Sequence, residues 1–217
     1  MSGYDATHMN INDSIIKDNL DLFYETYIEN EESGYNYGQY LSDTLFCGDK
    51  TLASDTYLGY GTNDTYYVAS NRINNNANPS FKCAENELKI YSRYTVNSYK
   101  TSKNVETNGN LNYPIALLSV DEYVMAGAFL DVQNINYYLY DAYIDGVSND
   151  DIWTMTPNHG NGGVSRLYHF DDSKLIYDKF YSDNELGVSP VINIKSDVLV
   201  NGGNGTEDAP YTLKLAS

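Results

Sequence analysis

With 217 residues and 41% hydrophobic content, the chain is long enough to bury a core and too apolar to be a disordered tail. Lys and Arg number 13 against 30 Asp and Glu, a net charge of −17; such a field repels phosphate backbones and anionic lipid, so nucleic-acid binding and direct membrane contact are not expected. No apolar run reaches the length of a membrane span, and 23 Tyr against 6 Phe and 1 Trp suit half-buried strands or a recognition surface.

The opening MSGYDATHM, Met1 to Met9, reads as a vector-derived tag remnant and is set aside, which leaves residues 10–217 as one domain without a visible linker or repeat. A leader or anchor upstream would not be seen, so the start of the chain says nothing of the compartment. NDSIIKDNLDLFYETYIEN, Asn12 to Asn30, predicts a helix: Asp13 or Ser14 can cap it, and Ile16, Leu20, Phe23 and Tyr27 recur as one apolar stripe. From Glu31 to Asn112 the chain is polar and turn-rich with short apolar islands, DTYYVAS and LKIYSRYTV among them, and RINNNANPS is a loop by composition. Cys47 and Cys83 fall in this region. They are too few for a zinc site and lack an activating neighbour. A disulfide is expected, two buried thiols being the alternative, and it would staple loops that the core does not hold, with roughly 4 kcal/mol of loop-closure entropy.

YPIALLSVDEYVMAGAF, Tyr113 to Phe129, carries a buried strand candidate and then a capping box, Ser119 with Glu122, opening a short helix that stops near Gly127. NINYYLYDAYIDG holds the tyrosine cluster Tyr137, Tyr138, Tyr140 and Tyr143, and DDIWTMTPNHGNGG holds Trp153. Glycine and asparagine between Pro157 and Gly163 read as an exposed loop. VSRLYHF and KLIYDKF predict strands paired around DDS; VSPVINI predicts another, and VLV with YTLKL a terminal hairpin about the turn NGGNG.

No phosphate loop, dinucleotide fingerprint or metalloprotease helix is present. Past the tag the histidines are His159 and His169, and the acid pairs Asp150–Asp151 and Asp171–Asp172 fit solvated turns. No metal site and no catalytic residue is singled out. GGNGTED approaches a calcium-binding repeat, but a single copy does not build a site; no cofactor is expected, and a calcium ion on loop carboxylates is admitted without a locatable position. The candidate contact set is Tyr137, Tyr138, Tyr140, Tyr143, Trp153, Asn158, His159, Asn161, Arg166 and Tyr168. Aromatic platforms beside amide, imidazole and guanidinium groups bind sugars or peptide surfaces; alternation would equally send some of them inward, Trp153 first.

GNLNYPIALLSVDEYVMAG resembles the GN-x-L-x-YPIGL-x-TADE-x-x-x-AG segment of a domain found in surface proteins of gut Firmicutes and Mollicutes. DIWTMTP is similar to its WWTMSP, LGVSPVINIKSDVLVNGGNGTEDAPYTL to its GVRPVINLKSDV…GGDGT…NPY, and LSDTLFCGDK and PSFKC to its two cysteine-bearing segments. The likeness covers Ile11 to Leu215, with two departures: Ser189 stands where the family has Arg, and Ile152 replaces the first Trp. The order of motifs also resembles the C-type-lectin-like fold of the formylglycine-generating-enzyme kind, which implies a compact α+β domain displaying loops, with short antiparallel sheets and two helices. The enzymatic relatives use cysteines near the C-terminus, and here none follows Cys83. The expectation is a non-catalytic, adhesin-like module on a bacterial surface, contacting a glycan or protein through a Tyr/Asn-rich face. The alternatives are the structural head of a pilin-like or wall-anchored protein and an enzyme with an unfamiliar site.

Overall fold

The computed structural model describes residues 13–51, 53, 65–75, 78–83, 90–94, 96–97, 105–106, 109–134, 151–161, 164–171, 174–176 and 181–216. It is a mixed α/β structure with few helices and short antiparallel sheets. Helix α1 (Ile15–Phe23) starts at Ser14, whose Oγ accepts from the Lys17 amide at 3.1 Å. Leu20 is buried on its inner face, and Ile16 and Phe23 pack beside it. The sequence stripe holds to Phe23 and then fails. A π-helical turn over Tyr24–Ile28 follows, and the wider turn rotates the next residues. Tyr24 becomes the buried residue, while Tyr27, expected inside, is 56% exposed.

Short ladders come next: β1 (Glu29–Asn30) pairs with β2 (Tyr35–Asn36), and β3 (Phe46–Cys47) awaits a partner later in the chain. β4 (Thr65–Tyr66) leads into α2 (Val68–Ser70) and a π-helical turn, Asn71–Asn75. The loop expected for RINNNANPS is therefore helical in its first part, because Ile73 is apolar enough to be buried there at 3% exposure. β5 (Ile90–Tyr91) pairs with β3, β6 (Val96–Asn97) with β7 (Val105–Glu106). Cys47 and Cys83 form a disulfide, as the sequence led one to expect.

β8 (Ile115–Ala116) precedes α3 (Val120–Met125), and the capping box is complete: the Ser119 amide donates to the Glu122 carboxylate at 2.7 Å and the Glu122 amide to Ser119 Oγ at 3.3 Å. β9 (Ile152–Asn161) is central to the largest sheet, ordered β11-β10-β9-β4 with β10 (Val164–Asp171) and β11 (Lys174–Ile176). This corrects the exposed-loop reading of 157–161. Apart from Asn158 those residues pair with β10, and His159 and Gly160 pair with β4 as well; Pro157, which has no N–H to give, sits where the ladder slips register. β12 (Val191–Ile192) pairs with β8, and β13 (Val198–Gly202) with β14 (Thr212–Leu215) makes the terminal hairpin.

Both faces of the β9–β10 pair are covered. Trp153, Leu167 and Met155 pack with Leu20, Tyr24, Ile115 and Leu117 under α1. On the other face Tyr168 packs with Ala69, Ile73 and Val120, and Phe170 and Ile152 with Tyr123. Two of the threonines that enter are bonded: Thr154 donates to the Tyr168 carbonyl at 2.7 Å, and Thr156 Oγ1 accepts from the Val120 amide at 3.0 Å. Arg72 ties the same region together through ion pairs to Asp49 and Asp121.

Candidate functional site

A cleft of about 450 Å³ opens between α1 and the β9–β10 face. Its floor is apolar because it continues the core: Ile16 and Leu20 come from α1, Ile115 and Leu117 from the segment of β8, and Met155, Pro157 and Leu167 from the sheet. The mouth is polar. Its polar lining includes Asp13, Lys17 and Asp21 from the α1 segment, Lys50 and Tyr91, and His159, Arg166 and Ser182.

Arg166 reaches this face through a break in the ladder. Arg166 pairs with His159 but Leu167 pairs with Pro157, so Asn158 is an extra residue on β9. Such a bulge re-aims side chains. Here Arg166 and Leu167, neighbours in sequence, both line the cleft alongside Pro157 and His159. Asn158 turns inward instead, buried at 1% exposure, with its Nδ2 on Ser70 Oγ at 3.2 Å.

The donors and acceptors fix the protons of His159. Asn158 Nδ2 donates to Ser70, so its carbonyl Oδ1 faces His159 Nδ1, which must donate. Guanidinium only donates, so His159 Nε2 is the acceptor of Arg166 Nη1 at 3.2 Å. The imidazole is thus neutral in this arrangement, and it orients the guanidinium without neutralising it. Tyr66 stacks on the His159 ring, centroids 5.4 Å apart. Tyr181 lies over the guanidinium at 5.0 Å, its hydroxyl 3.5 Å from Nη2. Among the described residues no carboxylate lies within ion-pairing distance of Arg166.

Across the cleft the charges are matched. Lys17 Nζ bonds Asp21 at 2.9 Å and Asp13 at 3.1 Å. Burial pulls the Lys17 ammonium down, but Asp21 and Asp13 outweigh it and leave the group raised above its ordinary value. Asp21 also accepts from Asn112 Nδ2 at 2.7 Å.

Of the residues expected to make contacts, His159 and Arg166 are brought together at the cleft. Trp153, Asn158 and Tyr168 are not on a surface: they are interior at 3%, 1% and 0% exposure. Alternation along β9 and β10 turns Trp153 to the α1 side and Tyr168 to the α3 side, where its hydroxyl donates to Asn74 Oδ1 at 2.6 Å. Asn161 ends β9 opposite Val164, and its side chain lies outside the described residues, as do Tyr137, Tyr138, Tyr140 and Tyr143. Lys17, Lys50 and the apolar floor were not singled out from the sequence; only the spacing of Ile16 and Leu20 hinted at that wall.

No three of the described His, Cys, Asp and Glu residues are grouped to hold a metal ion, and no described helix is long and apolar enough to cross a membrane. The disulfide is compatible with an extracellular protein. Fold and site together define a mixed α/β protein with few helices, short antiparallel sheets and an amphipathic cleft beside its four-stranded sheet. No family model matches the chain, and no curated protein or solved structure matches it significantly.

Proposed function

We propose that this chain is a non-catalytic binding module of an extracellular or cell-surface protein, and that its ligand enters the cleft between α1 and the β9–β10 face. One observation carries the reading: an apolar hollow of about 450 Å³ with the orienting pair His159–Arg166 at its mouth, the combination of apolar walls and a few placed polar groups that small-ligand sites share. Support also comes from the disulfide and from the resemblance to a surface-protein domain with a C-type-lectin-like order of motifs. The glycan or protein surface that this module contacts presents a group small enough to enter. In this reading the buried carboxylates Asp49 and Asp121, ion-paired to Arg72, serve the fold.

The test is an array of host glycans and matrix proteins probed with the native chain and with Ser182→Trp. Ser182 is exposed at the cleft mouth, so the indole covers the opening without touching the core. Binding that falls at least tenfold in a folded Ser182→Trp supports the cleft. A ligand held equally well by the variant places the contact elsewhere.

A second reading, a structural head that packs against its neighbours, is favoured by the terminal hairpin. Val200 at 60% and Leu215 at 40% exposure lie on the same side of the β13–β14 ladder, an open apolar face of the kind that assembly covers. Sedimentation over a hundredfold range of concentration separates the two: self-association abolished by Val200→Lys favours the structural head.

A further inference from the structure

The geometry points to a specific ligand chemistry for this cleft: a small acid whose carboxylate pairs with Arg166 while its apolar body lies against Leu20, Leu117, Met155 and Leu167. The inference rests on the cleft being the binding site.

The guanidinium shows which of its edges is available. Nη1 is held by His159 Nε2. The Nε–H is buried and meets no acceptor among the described residues, a donor of a kind that is seldom left unmatched in a native structure. Among the described residues, the hydrogen-bond partner of Nη2 is the Tyr181 hydroxyl at 3.5 Å, the outer limit of a hydrogen bond. Nε and Nη2 form the side of the guanidinium that a carboxylate grips with two parallel bonds. Tyr181 is 41% exposed, so burial does not hold its hydroxyl on Nη2, and a carboxylate oxygen takes its place there.

Charge selects in the same direction. A protein of net charge −17 turns anions away over most of its surface. The cleft lining departs from that average, with Lys17, Lys50 and Arg166 against Asp13 and Asp21, and both of those acids are taken up by Lys17. The floor selects the rest of the ligand. Leu20 and Leu117 are buried core residues and Met155 and Leu167 pack against them. These side chains offer no partner to the ring of hydroxyls of a sugar, which would lose its water there without replacement. An alkyl or aryl body loses nothing and gains about fourfold in affinity per buried methylene.

Calorimetric titration of the full chain at pH 7.5 tests this, with dodecanoate, its methyl ester and decanoate as probes. Dodecanoate is expected to bind at least tenfold more tightly than the ester, and more tightly than decanoate by about fourfold per methylene. Arg166→Gln is expected to bring the acid down to the level of the ester and to leave the ester unchanged. Arg166→Lys, which keeps the charge but loses the fork, falls between. Should Arg166→Gln not fold, the comparison of acid and ester on the native chain decides alone. A blocked trileucine peptide with free or amidated C-terminus distinguishes the source of the carboxylate: tighter binding of the free form than of dodecanoate supports the same chemistry supplied by a polypeptide end. Equal affinity for acid and ester, indifference to Arg166→Gln, or no binding of any acid overturns the inference. If an array ligand is blocked by Ser182→Trp while no acid is preferred, the cleft reading stands and this inference alone fails; an array ligand insensitive to Ser182→Trp removes the cleft reading itself.

Discussion

Arg72 donates to Asp121 from Nε at 2.8 Å and from Nη2 at 2.6 Å, and from Nη2 again to Asp49 at 2.8 Å. Both carboxylates are buried. The hydrogen bonds that Arg72 donates to Asp121 come first among the causes that hold the guanidinium well above its ordinary pKa. Removing one member of such a group leaves charge stranded out of water. Arg72→Met is therefore expected to lower the unfolding free energy by about 3–5 kcal/mol, read from urea denaturation, and Asp49→Asn with Asp121→Asn in the same chain should recover part of the loss. Tyr24 gives a pH-dependent counterpart. Burial, with a hydrogen bond to Glu29, pushes its phenol up to about 12. The folded state thus keeps a proton that the unfolded chain gives up near its ordinary value of about 10. The stabilisation is complete below pH 10 and is lost as pH rises to 12, at up to about 1.4 kcal/mol per unit. Tyr24→Phe should flatten that alkaline limb; an unchanged slope would show that Tyr24 does not set it. Neither residue was legible in the sequence as important, because Arg72 sits in an asparagine-rich run and Tyr24 lies one place off the apolar stripe.

At the scale of the element, local chemistry was a good guide wherever the hydrogen bonds close within a few residues. Ser119 and Glu122 form their box around α3 as their spacing requires, and Ser119→Ala is expected to cost about 1 kcal/mol, measurable as a drop in thermal midpoint with the fold unchanged. The terminal hairpin was equally plain. Gly203 at φ +87° would bring a Cβ within 2.0 Å of the Pro210 carbonyl oxygen, so only glycine fits that turn. Three stretches were misread: the start of the asparagine-rich run, which is helical, the end of the first helix, and β9. After α1 the π-helical turn keeps Tyr24 inside, and in β9 pairing with β10, and with β4 at His159 and Gly160, holds 157–161 extended. In both cases packing by distant segments overrides a local preference.

Over the whole molecule, three long-range ties secure a stretch whose described strands are two residues long. The disulfide joins Cys47 to Cys83, and within the same span Asp49 is tied to Arg72 and the Ser80 amide to Asp121 at 2.8 Å. Replacing both cysteines by serine is expected to lower stability by about 2–5 kcal/mol, with hydrogen exchange rising first at Phe46, Cys47, Ile90 and Tyr91, the ladder beside the bridge. Uniform loss of protection across β9 and β10 would show instead that the bridge supports the entire fold. The sequence by itself determined the charge, the capped helices, the closing hairpin and the pairing of the two cysteines, since each follows from composition or from contacts between near neighbours. The cleft, the inward turn of Trp153 and Tyr168, and the bulge that brings Arg166 beside His159 were decided only by the tertiary structure. Each depends on which strands meet and in what register, and a slip of one residue sends a side chain to the opposite face.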